Sequence, residues 1–407
     1  MTRTIAHFDL DAFFCAVEEI LNPDLRGRPF VVGGAPGGRG VVASASYPAR
    51  RFGVRSAMPT AQALRLCPGL ILVQGHHGLY GEYSDKVMAL IRESVPVAEQ
   101  VSIDEAFLDL TAHPDPGQVV AARLQAEIRR QFALSTSWGV ASNKLVAKIA
   151  TNVGKPAGLV VVPPGEEAAF LALLPVGMLW GVGPKGQAEL ERAEVRTIGD
   201  LASLPVERLR ALFGDRGTDL AARARGQDDD PVVEGHEPKS MSSETTFGQD
   251  VSNYEGLHRT LRSLSEDVGQ RLREAGLAGT TVRIKVRWPD FTTLTRQTRL
   301  PQPTDQDGEI YATAAALLAR TWKQGRPVRL IGVAVAALTQ PARQLSLFDR
   351  RWEEDARLLQ AVDRIRSKYG WDALQRATDL EAKKRGGAEG RRRGATEREE
   401  GEDQGER

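Results

Sequence analysis

Two acidic residues lie within an apolar, strand-like stretch near the start of the chain. The run TIAHFDLDAFF at residues 4–14 has the pattern of a short β-strand and contains Asp9 and Asp11. An unpaired carboxylate is costly to remove from water, so charged groups are rarely placed in such a run unless they are paired or bound to a cation. Side chains alternate along a strand, which places Asp9 and Asp11 on one face and Leu10 on the other. These carboxylates are therefore the first candidates for a functional site.

A second acidic pair, Asp104 and Glu105, lies in AEQVSIDEAFLDL at residues 98–110, which is predicted to form two short strands around an acidic turn. Neighbouring residues face apart in a regular strand, so this pair converges only where the pleat breaks, as in a hairpin turn. Three or more converging carboxylates make a hard, oxygen-rich site suited to Mg²⁺. From spacing alone, an alternative stays open in which the acids are unrelated strand ends, capped by backbone amides or arginine.

Composition excludes several classes of protein. The chain has 407 residues, of which 41% are hydrophobic, enough for more than one core. The 54 Lys and Arg nearly balance the 53 Asp and Glu, but local basic patches can still bind nucleic acid. The two cysteines exclude a disulfide scaffold and a Cys-rich zinc site. We find no run of 18 apolar residues and no signal peptide, which predicts a soluble cytoplasmic protein without a membrane partner.

The pattern of predicted elements indicates an α+β multidomain fold. Around residues 1–162 the order of strands and helices is that of a split βαβ, ferredoxin-like sheet with an insert at about 13–77. Residues 164–230 are mostly helical with glycine-containing turns, and 242–341 form a second α+β unit. The residues from 382 onward have almost no apolar content and are predicted to be a disordered tail.

Four motifs make the chain recognisable. They are FDLDAFFCAVEE (8–19), ASYPARRFGVRSAMP (45–59), SIDEAFLDL (102–110) and GVASNKLVAKIATNVGKPAG (139–158). Together they resemble the Y-family of translesion DNA polymerases, and the DinB class most closely. The resemblance runs from about residue 4 to 348.

The resemblance implies a right-hand polymerase with a ferredoxin-like palm, small fingers, a helical thumb and an α+β little finger. The expected divisions are the palm (1–12 and 78–163), the fingers (13–77), the thumb (164–230), a linker (231–241), the little finger (242–341), a clamp-binding peptide with a helical extension (342–381) and the tail (382–407).

The resemblance also assigns roles at the acidic site. Asp9 and Asp104 are expected to bind both of two Mg²⁺ ions, and the backbone carbonyl of Leu10 is expected to complete the nucleotide-side ion. Glu105 is expected to bind the ion on the nucleophile side and to help the primer hydroxyl lose its proton. For Asp11 two roles stay open. It could support the metal ligands without binding the metal itself, or it could have a structural role in which it pairs with an arginine.

Further residues match the nucleotide-binding pocket of the family. Phe14 matches the aromatic steric gate, whose flat ring leaves no room for a ribose 2′-hydroxyl. Contacts to the triphosphate of the incoming dNTP are expected from residues with hydroxyl, guanidinium or ammonium groups, namely Ser44, Tyr47, Arg50 and Lys155.

Two groups of residues are candidates for contact with primer–template DNA. LWGVGPKGQAEL at 179–190 resembles a helix-hairpin-helix, with contacts expected at Gly181, Gly183 and Lys185. Basic residues of the predicted little finger are the other candidates, namely Arg283, Lys285, Arg287, Arg326 and Arg329. We expect DNA affinity to fall steeply with salt.

A short peptide after the little finger resembles the segment by which bacterial polymerases dock on the sliding clamp. Its anchors are expected to be Gln344, Leu345, Leu347 and Phe348. A small strand is the alternative for these residues. The oligomeric state expected is a monomer.

The resemblance thus implies template-directed, error-prone translesion DNA synthesis without a proofreading exonuclease. Three alternatives are kept: a UmuC-like subunit that needs a processed partner, a template-independent deoxycytidyl transferase, and a catalytically silent lesion-bypass adaptor. The presence of Asp9, Asp104 and Glu105 argues against the silent adaptor.

Overall fold

The structure is a computed structural model that describes residues 2–35, 38–235, 237–341, 350–370 and 373–374. The chain divides into two compact units, residues 1–236 and residues 237–407. Within the described ranges, no helix is both long and apolar enough to cross a membrane.

The described strands fall into three sheets. In chain order they are β1 Ile5–Leu10, β2 Phe30–Gly33, β3 Val42–Ala45, β4 Ile71–Val73, β5 Val97–Gln100, β6 Glu105–Asp109, β7 Thr136–Ala141, β8 Leu159–Val161, β9 Ser240–Val251, β10 Ala278–Arg287, β11 Thr293–Thr304 and β12 Val328–Thr339.

The described α-helices surround these sheets. In chain order they are α1 Phe13–Leu21, α2 Tyr47–Arg50, α3 Thr60–Leu66, α4 His77–Ser94, α5 Gly117–Phe132, α6 Lys144–Gly154, α7 Glu167–Ala172, α8 Pro184–Arg192, α9 Ile198–Ser203, α10 Val206–Phe213, α11 Arg216–Ala224, α12 Tyr254–Glu274, α13 Asp307–Thr321 and α14 Arg350–Tyr369.

The first unit is organised around a five-stranded sheet of order β5-β6-β1-β7-β8. Strand β1 lies at its centre, where it pairs antiparallel with both β6 and β7. Both faces are covered: one packs against α1, α4 and α5, and the other packs against α6, from which the same buried cluster continues into helices α7 to α11. Burial on both faces explains why β1 reads as a nearly continuous apolar run.

The chain leaves β1 earlier than the sequence pattern predicts. The apolar run predicts a strand over residues 4–14, whereas β1 ends at Leu10 and α1 begins at Phe13. Ala12 makes the turn with φ 46°, in the left-handed region. That conformation costs a non-glycine residue roughly 1–2 kcal/mol, so the surrounding structure must impose it.

A three-stranded sheet lies between β1 and α4 in the sequence. Its strand order is β3-β2-β4, and β2 pairs antiparallel with β3 and parallel with β4. It has a core of its own, whose buried residues include Val31, Val42, Ala49 and Cys67. The same segment carries two of the predicted nucleotide contacts on α2.

The second unit is a four-stranded antiparallel sheet of order β11-β10-β12-β9 with α12 and α13 packed on it. The sequence pattern did not predict β9, because SMSSETTFGQDV is mostly polar. Its alternation is nevertheless that of a half-buried strand, since Met241, Phe247 and Val251 pack against the core. The strand begins at Ser240, inside the expected linker.

Buried ion pairs attach the last described helix, α14, to the second unit. Arg273 of α12 donates to both carboxylate oxygens of Asp363, at 2.6 and 3.0 Å, and to Asp307 of α13 at 2.8 Å. Arg366 of α14 donates to Glu266 of α12 at 3.0 Å. One guanidinium therefore neutralises carboxylates from two other helices.

Removing Arg273 should destabilise the second unit. We expect Arg273→Ala to lower its free energy of unfolding by about 3–5 kcal/mol, because two buried carboxylates lose their cation. Urea denaturation followed by circular dichroism measures the loss. Arg271→Ala is the matched control: Arg271 is also on α12 and its exposed pair with Asp267 should contribute about 1 kcal/mol or less. Equal losses in the two variants would contradict the assignment.

Candidate active site

The pairing of β1 with β6 aligns the predicted metal ligands. Asp9 is the direct partner of Glu105 in the register, and the Leu10 N–H donates to the Asp104 carbonyl at 2.8 Å. Directly opposed residues of an antiparallel pair project from the same face. Residues 101–104 form the turn between β5 and β6, as the sequence predicted. The backbones of Asp9, Leu10, Asp104 and Glu105 therefore lie at one end of the sheet.

Two lysines form ion pairs with carboxylates of this site. Lys155 Nζ lies 2.6 Å from Asp9 Oδ2, and Lys148 Nζ lies 2.6 Å from Glu105 Oε2. The carboxylate of Asp104 accepts instead from the hydroxyl of Ser102 in the same turn. In the ranges that the structure describes, no three His, Cys, Asp or Glu side chains are drawn together into a group that could hold a metal ion. The backbone thus brings the predicted ligands together, while their side chains turn to separate partners.

The electrostatics of these carboxylates differ. Burial raises the pKa of Asp9 to about 6, against the effect of Lys155, and the nearby charges of Asp104 and Glu105 add to the rise. Burial also acts to raise the pKa of Glu105, but the neighbouring His7 and Lys148 outweigh it and hold that pKa at about 2. Burial, and to a smaller extent the neighbouring carboxylates, therefore disfavours the charged form of Asp9, which a bound cation would favour.

The donor set fits a divalent cation of the hard class. The carboxylates of Asp9, Asp104 and Glu105 carry oxygen atoms, the ligand type that Mg²⁺ and similar ions prefer. A cation here would take the place of the ammonium groups of Lys148 and Lys155 as the neutralising charge.

Sequence reasoning did not single out Lys148, although a signal was present. Lys144 and Lys148 are four residues apart on α6 and pair with Glu99 and Glu105 of the neighbouring strands. Residues at that spacing share one face of a helix, so the sequence shows two lysines on one side of α6 but not the acids that they face.

The aromatic ring of Phe14 lies on a second ring. It is partly buried on α1 and stacks on Tyr80 of α4, with centroids 4.3 Å apart and planes at 11°. The Tyr80 hydroxyl donates to the buried carboxylate of Glu18, which also bonds to His76. No local sequence signal connected Tyr80 to Phe14, because the two positions are far apart in the chain and meet only through packing.

The predicted triphosphate contacts lie on β3, on α2 and after α6. Ser44 is buried in β3. The Arg50 guanidinium lies 4.8 Å from the centre of the Tyr47 ring, and its Nε donates to the Ala45 carbonyl at 2.9 Å. Lys155 directly follows α6 and bonds to Asp9. Tyr47 and Lys155 are thus both tied to acidic residues of the FDLDAFF motif, since the Tyr47 hydroxyl donates to Asp11.

Asp11 bonds to hydroxyl and backbone donors rather than to an arginine. Its partners are the hydroxyls of Tyr47, Ser135 and Ser137 and the N–H of Ala157. The structure therefore removes the arginine pairing that the sequence left open for this residue.

The predicted hairpin contains the geometry that close approach to phosphate needs. Gly181 has φ +101°, and Gly183 is the residue preceding α8, whose second residue is Lys185. Together with Arg216 these residues line a cavity of about 310 Å³. Arg216 donates to the Gly181 carbonyl at 3.1 Å, which adds a basic side chain that sequence reasoning did not select.

In the second unit, the predicted basic residues belong to two groups. Arg283, Lys285 and Arg287 alternate along β10. Their side chains bond to Gln297, Glu244 and Thr293, respectively. Arg326 and Arg329 lie over the rings of Trp288 and Phe291, at 3.8 and 4.3 Å from the ring centres.

The predicted clamp-binding residues 344–348 and the tail lie outside the described residues.

Comparison with known proteins places the chain in a family. Residues 8–152 match the model of the impB/mucB/samB family, and residues 238–347 match the model of that family's C-terminal domain. The DNA polymerase IV of Alkalilimnicola ehrlichii is 44% identical over 353 residues, which cover 85% of this chain and 99% of that protein. The DNA polymerase IV of Desulfatibacillum aliphaticivorans is 42% identical over 380 residues, covering 92% of this chain and 96% of that protein.

A solved structure agrees with these relatives. A Y-family DNA polymerase chimera superimposes with a TM-score of 0.74 and 26% identity, covering 83% of this chain and all of that chain. The chain therefore belongs to the impB/mucB/samB family, the Y-family of DNA polymerases. The resemblance inferred from the sequence motifs is confirmed, as is the α+β multidomain fold class.

Proposed function

We propose that the chain extends a DNA primer by two-metal nucleotidyl transfer at Asp9, Asp104 and Glu105. As a member of its family it is a DNA-directed DNA polymerase of translesion synthesis, and it binds template DNA. The observation that carries the proposal is the register of β1 and β6, which sets Asp9 opposite Glu105.

Family membership implies a divalent metal, and we propose two Mg²⁺ ions. Asp9 and Asp104 would bind both, Glu105 would bind the one nearer the primer hydroxyl, and the Leu10 carbonyl would bind the one nearer the nucleotide. When bound, such ions favour loss of the hydroxyl proton and stabilise the charge on the leaving pyrophosphate. Glu105 is suited to its role because its low pKa keeps it ionised at neutral pH.

The incoming dNTP would be held by the residues next to this acidic end. Lys155 and Arg50 carry charges that attract phosphate, and Ser44 and Tyr47 carry hydroxyl groups. Lys155 bonds to Asp9 at 2.6 Å, so its ammonium group would have to leave that carboxylate to contact a triphosphate. The cation on Arg50 is oriented by the Ala45 carbonyl and the Tyr47 ring, which limits its rotation.

Phe14 would exclude ribonucleotides by contact with the sugar. Its support by Tyr80 strengthens this proposal, because a ring stacked at 4.3 Å on a buried neighbour cannot retreat from an added hydroxyl. Tyr80 is in turn fixed by its bond to Glu18.

Primer–template DNA would contact both units. The Gly181–Lys185 hairpin would bind backbone phosphates of the duplex, and the row on β10 would bind phosphates through Arg283, Lys285 and Arg287. We accordingly propose that residues 164–230 serve as the thumb and 242–341 as the little finger, with the palm and fingers as divided above. We also propose that the chain is a cytoplasmic monomer and that it docks on a sliding clamp through residues 344–348.

Loss of one metal ligand should abolish synthesis. We expect Asp104→Ala to slow primer extension at least about a thousandfold, since transition-state charge stabilisation by metal ions is worth several kcal/mol. The measurement is single-nucleotide extension by the purified chain with each dNTP. Asp109→Ala, at the far end of the same strand β6, is the matched control and should keep the parental rate.

The same assay separates the alternatives. Extension by the chain alone, directed by the template base, contradicts a silent adaptor, a subunit that needs a partner, and a deoxycytidyl transferase. Parental activity in Asp104→Ala would overturn the proposed mechanism.

Removal of the gate ring should relax sugar selection. We expect Phe14→Ala to raise the ratio of ribonucleotide to deoxynucleotide insertion efficiency by at least about tenfold, while dNTP insertion remains measurable. Steady-state kinetics with paired rNTP and dNTP give the ratio. Phe13→Leu, which alters the adjacent ring in the core, should leave it unchanged. An unchanged ratio in Phe14→Ala would remove the gate assignment.

The clamp proposal concerns processivity and not chemistry. We expect Leu347→Ala combined with Phe348→Ala to abolish stimulation by the clamp and to spare basal extension, because tethering raises the local concentration without new DNA contacts. Extension is measured with and without clamp. Leu358→Ala, which truncates an exposed leucine of α14, is the control. Equal losses with and without clamp would refute docking at this peptide.

A further inference from the structure

Asp11 is the most densely bonded carboxylate near the proposed nucleotide pocket. Its side chain is buried, with 3% of the residue exposed. Oδ1 accepts from the Tyr47 hydroxyl at 3.1 Å and from Ser137 Oγ at 2.7 Å, and Oδ2 accepts from Ser135 Oγ at 2.8 Å and the Ala157 N–H at 2.9 Å. An ionised carboxylate offers about four lone-pair sites, and these four donors fill them. Asp11 therefore has no site left for a cation, although it lies two residues from Asp9.

The four donors come from three separate segments around the pocket. Ser135 and Ser137 lie before and in β7, Tyr47 begins α2, and Ala157 lies two residues after Lys155. The Asp11 N–H adds a backbone bond to the Ser135 carbonyl at 2.9 Å. These bonds also account for the turn at Ala12, because Asp11 is fixed on both its main chain and its side chain just before the chain reverses.

Tyr47 has one hydroxyl proton and donates it to Asp11. Burial raises the pKa of this hydroxyl, and the charge of Asp11 raises it further, so the group stays protonated. A phenol with a single O–H can donate to a carboxylate or to a phosphate oxygen, but not fully to both. Its bond to Asp11 thus determines where the hydroxyl points before any phosphate competes for it.

We propose that Asp11 is a positioning residue for the incoming nucleotide, which holds Tyr47 and the Ala157 turn in place beside the triphosphate without binding a metal ion. The inference rests on the proposed polymerase function and extends it to a residue whose role the sequence left open. Asp9 and Asp11 then have different roles within one motif. Asp9 belongs to the metal site, and Asp11 positions Tyr47 and the Ala157 turn beside the nucleotide.

Two substitutions of Asp11 should have different effects. Asparagine can keep an oxygen toward the Ala157 N–H, because the hydroxyls of Tyr47 and Ser137 can rotate and accept from its NH₂ group. Alanine removes every acceptor and leaves four donors unsatisfied in a buried site. The conservative variant should therefore rescue the function that alanine loses.

The experiment compares Asp11→Ala and Asp11→Asn in steady-state single-nucleotide extension. We expect Asp11→Ala to raise KM for dNTP at least about tenfold with kcat within about threefold, and Asp11→Asn to keep KM within about threefold. Titration of a fluorescent dNTP analogue into the protein bound to primer–template gives the affinity directly and should follow KM. Glu99→Ala, another buried carboxylate of the same sheet, is the matched control and should leave KM unchanged.

A double-mutant cycle with Tyr47→Phe tests whether Asp11 acts through Tyr47. The cost of Tyr47→Phe in nucleotide affinity should differ by at least about threefold between the parental and the Asp11-substituted backgrounds. Asp11→Asn serves as the background if Asp11→Ala does not fold.

Three results would overturn the positioning role. They are equal KM increases in Asp11→Asn and Asp11→Ala, a collapse of kcat with unchanged KM, or an equal cost of Tyr47→Phe in each background. Failure of the polymerase proposal is distinguishable, because the parental chain would then not extend a primer in the same assay.

Discussion

The antiparallel pairing of β1 with β6 is the interaction on which the site depends. A backbone bond of 2.8 Å from the Leu10 N–H to the Asp104 carbonyl closes the ladder at its polar end and sets Asp9 opposite Glu105. A register shift of one residue would turn Asp9 to the other face of the sheet. Burial of both faces of β1 prevents such a shift, because it would bring the carboxylate into an apolar core.

Concentrating carboxylates at one end of a sheet is unfavourable without cations. The protein supplies these cations as two lysines, one in α6 and one directly after it. Lys148 lies in α6, and Lys155 follows its end; they bond to Glu105 and Asp9. Lysine ammonium groups thus neutralise this end of the sheet. Asp11 is the exception, because its charge is balanced by four hydrogen bonds and not by a lysine.

Aromatic and polar contacts fix side chains around the proposed nucleotide pocket. Tyr80 supports Phe14 from below, and its hydroxyl is held by the buried Glu18. Asp11 holds Tyr47 in a comparable way, because it accepts from the Tyr47 hydroxyl. In both cases a buried carboxylate accepts from a tyrosine hydroxyl, which orients a ring at low conformational cost.

The sequence by itself determined the family, the α+β class and the acidic motifs, because carboxylates inside apolar runs are rare and four long motifs in order are specific. It did not determine β9, whose polar residues hide a strand, or the end of β1, where the Asp11 bonds override the apolar run. Only the tertiary structure decided the partners of Asp11 and the stacking of Phe14 on Tyr80. Those contacts join positions distant in the chain, and local patterning contains no information about which distant side chains the packing brings together.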